Sequence, residues 1–403
     1  MKKKKDILFL CQFFYPEYVS SATLPFDTAV ALKKSGYSVD VFCGYPQEYF
    51  NGQEAPSHET VEGIEIHRVK YLKMDKTSFV GRLINYFSFT FMMFLRLFQF
   101  ANYRAVIVYT NPPILPWVAS WGKILFGTKL ILVAYDLYPE IAVRTNTLRD
   151  GNIICRLMHH INKCVYRRAN CVVALSNEMK SYIIENRPIA PDKVKVIPNW
   201  YADNKTAESE QTDNKFAETV GNRFVVSYFG NMGTAQDMET ILGAIRMLKD
   251  SDDICFLFAG HGNKMASIKQ VITDEKISNV FMFEFLHGKD YQDALQISGC
   301  ALVSLENGLT GLCVPSKTYS YMMQGIPLLA IMDEGDIVSD IESGAGCWVR
   351  NGDVSALVEK ICFMQSHVKE LSDMRKKCRS IYLEKYTTEV CTNKYVDMFR
   401  ELI

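Results

Sequence analysis

The sequence predicts an α/β protein with two parallel-sheet halves, and three observations carry that prediction. Short apolar runs alternate with helix-period segments through residues 6–197 and again through 223–349, the pattern of strands joined by crossover helices. Between these series, residues 201–221 are polar and lack apolar periodicity, as expected of a linker with an exposed segment. A length of 403 residues suits two domains of ordinary size. The expected organisation is an N-terminal domain over 1–200, a linker over 201–221 and a C-terminal domain over 222–386.

Strand candidates in the first half are 6–13, 38–43, 64–70, 105–109, 129–134, 171–175 and 193–197, with helices such as 23–35 and 153–168 between them. In the second half they are 223–229, 254–259, 279–283, 300–304, 327–331 and 346–349. A last helix covers about 387–402. Ligands of such sheets bind at the carboxyl ends of the strands, so those loops are where function is sought.

Residues 79–100 read as one helix with a narrow polar stripe of Arg82, Asn85, Ser88, Arg96 and Gln99. The rest is apolar, including Phe87, Phe89, Phe91, Met93, Phe94 and Phe98. So wide an apolar face is either buried core or a helix lying in a bilayer interface, with Arg82, Arg96 and Arg104 reaching lipid phosphates. A second apolar segment at 113–126, with Trp117 and Trp121, tips the reading toward peripheral membrane contact through about 79–126.

Hydrophobic residues at 48% and charged residues at 22% mark an ordinary globular chain. Overall neutrality hides an asymmetry. Residues 1–200 hold 25 Lys and Arg against 16 Asp and Glu, whereas 201–403 hold 20 against 29. A basic first half suits an anionic partner such as a membrane surface or lipid phosphate. No helix-turn-helix, RNP or zinc-finger pattern points to nucleic acid. Twelve scattered cysteines without CxxC or Cys/His spacing read as free buried thiols in a reducing compartment. The start, Met1 to Phe14, reads as a basic tail and a first strand rather than a signal peptide, because no small-residue cleavage site follows. No run reaches the 18 or so apolar residues of a membrane span.

The stretch Gly311-Leu-Cys-Val-Pro-Ser-Lys-Thr-Tyr-Ser-Tyr-Met-Met-Gln-Gly325-Ile-Pro327 reads as loop, short helix and strand start. Pro315 and Ser316 carry start-of-helix chemistry, Gly325 suits a left-handed cap and Pro327 prevents continuation. Lys317, Ser320 and Tyr321 share one helical face. A lysine in the first turn opposes the helix dipole unless an anion binds there. The alternative is an ordinary exposed lysine on a surface helix. Phe229-Gly-Asn-Met-Gly233 lies at a strand-to-helix turn, where Gly230 and Gly233 let backbone N–H groups approach a phosphate.

Pro315 to Pro327 and Gly230-Asn231-Met232-Gly233 together resemble GT-B glycosyltransferases of glycosyltransferase family four. The likeness is to the bacterial branch that builds capsule, O-antigen and exopolysaccharide units. It implies two Rossmann-like domains facing a cleft, with the last helix crossing back onto the first domain. It also implies that Gly230, Asn231, Met232, Gly233, Pro315, Ser316, Lys317, Ser320 and Tyr321 border a nucleotide-sugar donor. Phe258-Ala-Gly-His-Gly-Asn-Lys264 resembles a turn beside that donor, assigning Gly260, Gly262 and Lys264 to it. Lys264 alone reads equally as a solvated helix-start residue. Phe285-Leu-His-Gly288 resembles the segment whose backbone meets the nucleotide base, at Leu286. Ala134-Tyr-Asp-Leu-Tyr-Pro-Glu140 resembles a segment near the reacting centre, making Asp136 and Glu140 candidate catalytic groups beside Lys317. Helix capping is the rival role for that acidic pair. Thr110-Asn-Pro-Pro113 is expected to shape the acceptor site.

The chain departs from the family at three places. The usual Glu-x7-Glu pair falls on Leu312 and Ser320, so Ser320 offers the ribose only a neutral hydrogen bond, and Glu306 is the carboxylate left to contact the donor sugar. Ser20 and Ser21 stand where relatives have a glycine pair. No basic residue follows Gly233 closely, leaving Lys317 and Lys264 to supply positive charge. The Asp-x-Asp at Asp250 to Asp252 lies at a helix-to-strand turn and reads as solvated, and His159-His160 reads as structural.

The resemblance thus implies a retaining, metal-independent glycosyltransferase without a cofactor. It would use a UDP-linked sugar and a lipid-linked saccharide acceptor at the cytoplasmic face of a bacterial inner membrane, with a partner glycosyltransferase as a further expectation. A sugar-nucleotide epimerase or hydrolase of the same fold and a non-catalytic partner subunit are the rival readings.

Overall fold

The computed structural model describes residues 4–46, 54–75, 78–203 and 214–403. The start of the expected basic tail and the middle of the expected linker, 204–213, lie outside the described residues. The chain forms two compact units. Unit 1 comprises Met1–Asn199, Gly311–Val314 and Thr388–Ile403; unit 2 comprises Trp200–Thr310 and Pro315–Thr387.

The strands of unit 1 are β1 (Lys5–Leu10), β2 (Val39–Gly44), β3 (His58–Val61), β4 (Ile64–Val69), β5 (Tyr103–Tyr109), β6 (Lys129–Val133), β7 (Cys171–Ala174) and β8 (Val194–Val196). Its helices are α1 (Ser20–Lys34), α2 (Phe79–Phe94), α3 (Leu115–Phe126), α4 (Glu140–Arg144), α5 (Ile153–Arg168) and α6 (Asn177–Asn186). The sheet order is β3-β4-β2-β1-β5-β6-β7-β8, parallel except for the β3–β4 hairpin. Unit 2 has α7 (Ala217–Val220), β9 (Phe224–Asn231), α8 (Met238–Met247), β10 (Ile254–His261), α9 (Met265–Asp274), β11 (Val280–Phe283), α10 (Gly288–Gln296), β12 (Cys300–Ser304), α11 (Lys317–Gln324), β13 (Leu328–Ile331), α12 (Asp336–Asp340), β14 (Gly346–Val349), α13 (Val354–Ser366) and α14 (Val368–Lys385). Its parallel sheet runs β11-β10-β9-β12-β13-β14. The chain then returns to unit 1 as α15 (Thr388–Leu402), which packs against α1.

The central strands are apolar runs because parallel sheets are covered on both faces. β1, β5, β6 and β7 are buried almost throughout, as are β10, β12 and β13. Each sheet reverses its strand order once, between β1 and β5 and between β9 and β12, and the carboxyl ends at these reversals form the crevices of doubly wound folds.

Several expectations need correction. The hairpin strand β3 was not visible as a run, because its residues alternate between exposed and half-buried and its turn uses Glu62 and Gly63 at φ 52° and 74°. The helix expected over 79–100 ends at Phe94, and a 3-10 turn over Leu97–Asn102 swings Leu97 and Phe100 into the core ahead of β5. The end of the expected linker is packed: Phe216 and Val220 are buried, and Phe216 meets Phe283 edge-on at 5.1 Å. Gly311–Val314, expected within the second domain, belongs to unit 1, where the Leu137 N–H donates to the Leu312 carbonyl at 2.9 Å.

Candidate functional site

In unit 2 the expected phosphate loop leaves β9 at Gly230, whose φ is 129°. Its shape depends on glycines in the neighbouring strand. A β-carbon at Gly260 would lie 1.9 Å from the Gly230 carbonyl oxygen, and one at Gly262 would lie 2.4 Å from the Met232 carbonyl oxygen. These two positions must be glycine for the strands to run on together into the loop. The Met232 N–H donates to the His261 carbonyl at 2.7 Å and the Lys264 N–H to the Met232 carbonyl at 3.0 Å, fixing the turn. The Gly233 N–H donates to Gln236 Oε1 at 3.0 Å. Helix α8 begins at Met238, with Asp237 as its cap.

Lys317 opens α11, and its side chain runs inward rather than out to solvent. Its Nζ is buried with no hydrogen-bond partner among the described residues, 3.4 Å from the centre of the Tyr228 ring. A β-carbon built at Gly230 would meet its Cε at 3.6 Å and Nζ at 3.8 Å, so the amine rests on the phosphate loop. Burial without a counter-charge pushes the Lys317 pKa well below the usual lysine value. Thr318 Oγ1, one residue on, is likewise buried without a partner among the described residues. The start of α11 therefore holds an amine and a hydroxyl that are both unsatisfied, at the positive end of a helix, a corner suited to an anion. The surface-helix reading of this segment is overturned.

The other expected donor residues divide by what they touch. Tyr321 is fully buried; its hydroxyl accepts from the Phe229 N–H at 2.8 Å, so it braces the loop. Ser320 is buried, with its hydroxyl between Tyr291 Oη at 2.9 Å and the Lys317 carbonyl at 2.9 Å. Met232 packs into the core of unit 2. Lys264 and Glu306 pair with each other at 2.9 Å, so neither charge stands alone. Pro315 is buried and Ser316 exposed; Ser316 caps α11 without a side-chain hydrogen bond. Asn231 is exposed at the loop, its carbonyl accepting from Tyr228 Oη at 2.8 Å. Leu286 is half-buried between two exposed aromatic neighbours. There, Phe285 lies 5.5 Å from His261 and 4.7 Å from His287, forming an aromatic platform on the same rim as the loop.

In unit 1, Asp136 follows β6, and its N–H and that of Tyr135 both donate to Thr110 Oγ1, at 3.3 and 3.0 Å. Desolvation pushes its carboxyl up to about 6. Glu140 is not free: Arg187 donates to it at 2.6 Å, and His159 lies 3.8 Å away. Glu140 thus ties α4 to α5 and to the Arg187 segment, and His159 has the partner that the sequence did not reveal. Ser20 is exposed and Ser21 half-buried at the first turn of α1. The sequence reading missed Tyr228, an aromatic within a strand that looks like any core residue, and Gln236, whose amide occupies the Gly233 N–H.

The stripe on α2 is partly structural. Asn85 is buried and bonds the Met74 N–H and carbonyl at 2.7 and 2.9 Å. Arg104 pairs with Asp6 at 3.1 Å and donates to the Ile403 carbonyl. Phe89 and Met93 belong to the core, while Phe87, Phe91, Phe94, Leu95 and Phe98 are exposed. Among the described residues no helix is long and apolar enough to cross a membrane.

Two doubly wound units, each with a crevice at a strand reversal and the second shaped by Gly230, Gly260 and Gly262, have the layout of a GT-B protein. A "Glycosyl transferase 4-like domain" model matches residues 26–200, and a "Glycosyl transferases group 1" model matches 223–367. The chain is 27% identical to the probable glycosyltransferase WbjE of Pseudomonas aeruginosa over 83% of its own length and 84% of that protein. It is 23% identical to the putative colanic acid biosynthesis glycosyl transferase WcaI of Escherichia coli strain K12, over 49% of each chain. Its fold matches Anabaena HepE, solved in complex with UDP and glucose, with a TM-score of 0.71 at 15% identity over 98% of this chain and 99% of that one. The chain belongs to the GT-B glycosyltransferases of glycosyltransferase family four.

Proposed function

We propose that this chain is a retaining glycosyltransferase of bacterial surface polysaccharide biosynthesis. It moves a hexosyl or N-acetylhexosaminyl group from a UDP-sugar to a lipid-linked saccharide at the cytoplasmic face of the inner membrane. The observation that carries the donor half is the buried, unpartnered amine of Lys317 against Gly230. A diphosphate bound there gives the amine its missing counter-charge and completes the hydrogen bonds at the start of α11. Lys317 then stabilises the departing diphosphate as its bond to the sugar breaks, a role that needs no metal. The Phe285 platform suits the base, and the UDP bound by HepE supports uridine. On this reading Asp136 steadies charge at the sugar or orients the acceptor hydroxyl. Polysaccharide biosynthesis is supported by the colanic acid role in the name of WcaI, and a lipid-linked acceptor by the exposed apolar residues of α2 and α3.

Calorimetric titration of wild type and Lys317→Met with UDP, GDP and ADP tests this. We expect UDP to bind wild type, and the variant to lose about ten- to a hundredfold in affinity, the worth of one charge-assisted contact. Without nucleotide the variant should melt higher, because a buried amine without a partner is gone. Binding of GDP or ADP in place of UDP overturns the donor class. No nucleotide binding would favour a non-catalytic partner subunit, a reading that Leu312 and Ser320 at the usual glutamate positions also fit.

A further inference from the structure

Tyr228 stands two residues before Gly230 on β9, and side chains along a strand alternate between faces, so the two positions share one face of the sheet. Glycine at 230 leaves that face open above the ring, and the Lys317 side chain fills the opening. A β-carbon at Gly230 would meet its Cε at 3.6 Å and its Nζ at 3.8 Å, while Nζ lies 3.4 Å from the ring centre. The ring is held on all sides. Tyr228 is fully buried, Phe258 tilts against it at 5.8 Å, and its hydroxyl donates to the Asn231 carbonyl at 2.8 Å. Burial pushes the pKa of that hydroxyl up, so it stays a donor.

A neutral seat differs from a charged one. Lys264 shows the alternative, for Glu306 pairs with it at 2.9 Å. A carboxylate beside Lys317 would fix the amine in the same way but cancel the charge that an anion needs. An aromatic face attracts a cation through its quadrupole, more weakly than a buried carboxylate does, so it orients the amine and leaves its charge for a ligand. Burial is what lowers the Lys317 pKa, and no charged neighbour among the described residues contributes.

We infer that Tyr228 is a positioning residue for donor binding: its ring face seats the Lys317 amine, its hydroxyl holds the phosphate loop at Asn231, and one side chain thereby sets the spacing of the two parts that meet the diphosphate. This rests on the diphosphate reading of the corner. Tyr228 acts through Lys317 and the loop, by holding both ready before the nucleotide arrives.

UDP is titrated calorimetrically into the full chain as wild type, Tyr228→Phe, Tyr228→Leu, and Tyr228→Phe carrying one, two or three fluorines on the new ring. Fluorine withdraws charge from the ring face with little change of shape, so it weakens a cation's seat and spares the packing. We expect Tyr228→Phe, which loses only the bond to Asn231, to bind within about threefold of wild type. Affinity should then fall stepwise with fluorine, to about tenfold below Tyr228→Phe at the third. Tyr228→Leu should bind no better than the trifluorinated variant, and in a Lys317→Met background the fluorine dependence should vanish. A flat series in a chain whose Lys317→Met variant loses affinity would overturn the proposal and leave the diphosphate reading standing. Without nucleotide, melting temperature should also fall with fluorine where Lys317 is present and not in Lys317→Met; melting that ignores fluorine would show that the ring does not seat the amine. Melting that tracks fluorine in a chain that binds no UDP would overturn the diphosphate reading, and the positioning role with it.

Discussion

A carboxyl held at about 6 by burial is poised where small changes of pH alter its charge, and Asp136 is such a group. The sign of its effect on stability follows from linkage. Between the ordinary value of 3.8 and about 6, the folded chain keeps a proton that the unfolded chain has released, so stability falls as pH rises through that window. Asp136→Asn removes the desolvated charge. The variant should melt above wild type at about pH 8 and level with it near about pH 4. Sugar transfer should fall by about a hundredfold or more, and the wild-type rate should decline below about pH 6 if the ionised carboxylate is what acts. A melting difference that did not change with pH would remove Asp136 as a desolvated carboxylate. Such roles are only partly readable from sequence. Lys317 stood out because a cation at a helix start is chemically misplaced without an anion. Nothing local could say that Glu140 would meet Arg187, 47 residues away, or that Leu312 would lie beside Leu137.

At the scale of elements, the phosphate loop and the next strand act as one part. Gly260 has φ 151°, and any β-carbon there would collide with the Gly230 carbonyl. Gly260→Ala must push the loop off β10 or distort the strand. We expect a loss of about 1–3 kcal/mol in stability from overpacking, together with loss of measurable UDP binding. Unchanged UDP affinity in a folded variant would show that the loop does not depend on this contact. The parallel strands were legible within two residues, or three at the end of β1, because burial on both faces leaves continuous apolar runs, such as Leu130 to Val133 and Cys171 to Ala174. The edge strand β3 was not, because an exposed edge has no need for apolar residues. Helix α2 was read too long for the opposite reason: apolar residues continue past its end, since Leu97 and Phe100 turn inward while Phe98 stays outside.

For the whole molecule, the return of the chain to unit 1 as α15 links the last residues to the first. Cys391, Thr392, Tyr395, Val396, Met398 and Phe399 are buried on that unit, and Phe399 lies against Tyr37 at 6.2 Å. Taking about 2 kcal/mol for each of the four largest of these side chains gives roughly 8 kcal/mol. A domain's entire stability is about 5–15 kcal/mol, so unit 1 should not survive without α15. The donor residues Tyr228, Gly230, Lys317 and Tyr321 all belong to unit 2. Truncation after Tyr386 should therefore abolish the calorimetric transition of unit 1 while UDP affinity stays within about threefold of wild type. If nucleotide binding disappeared together with that transition, the donor site would depend on unit 1, and the assignment of UDP recognition to unit 2 residues alone would fall.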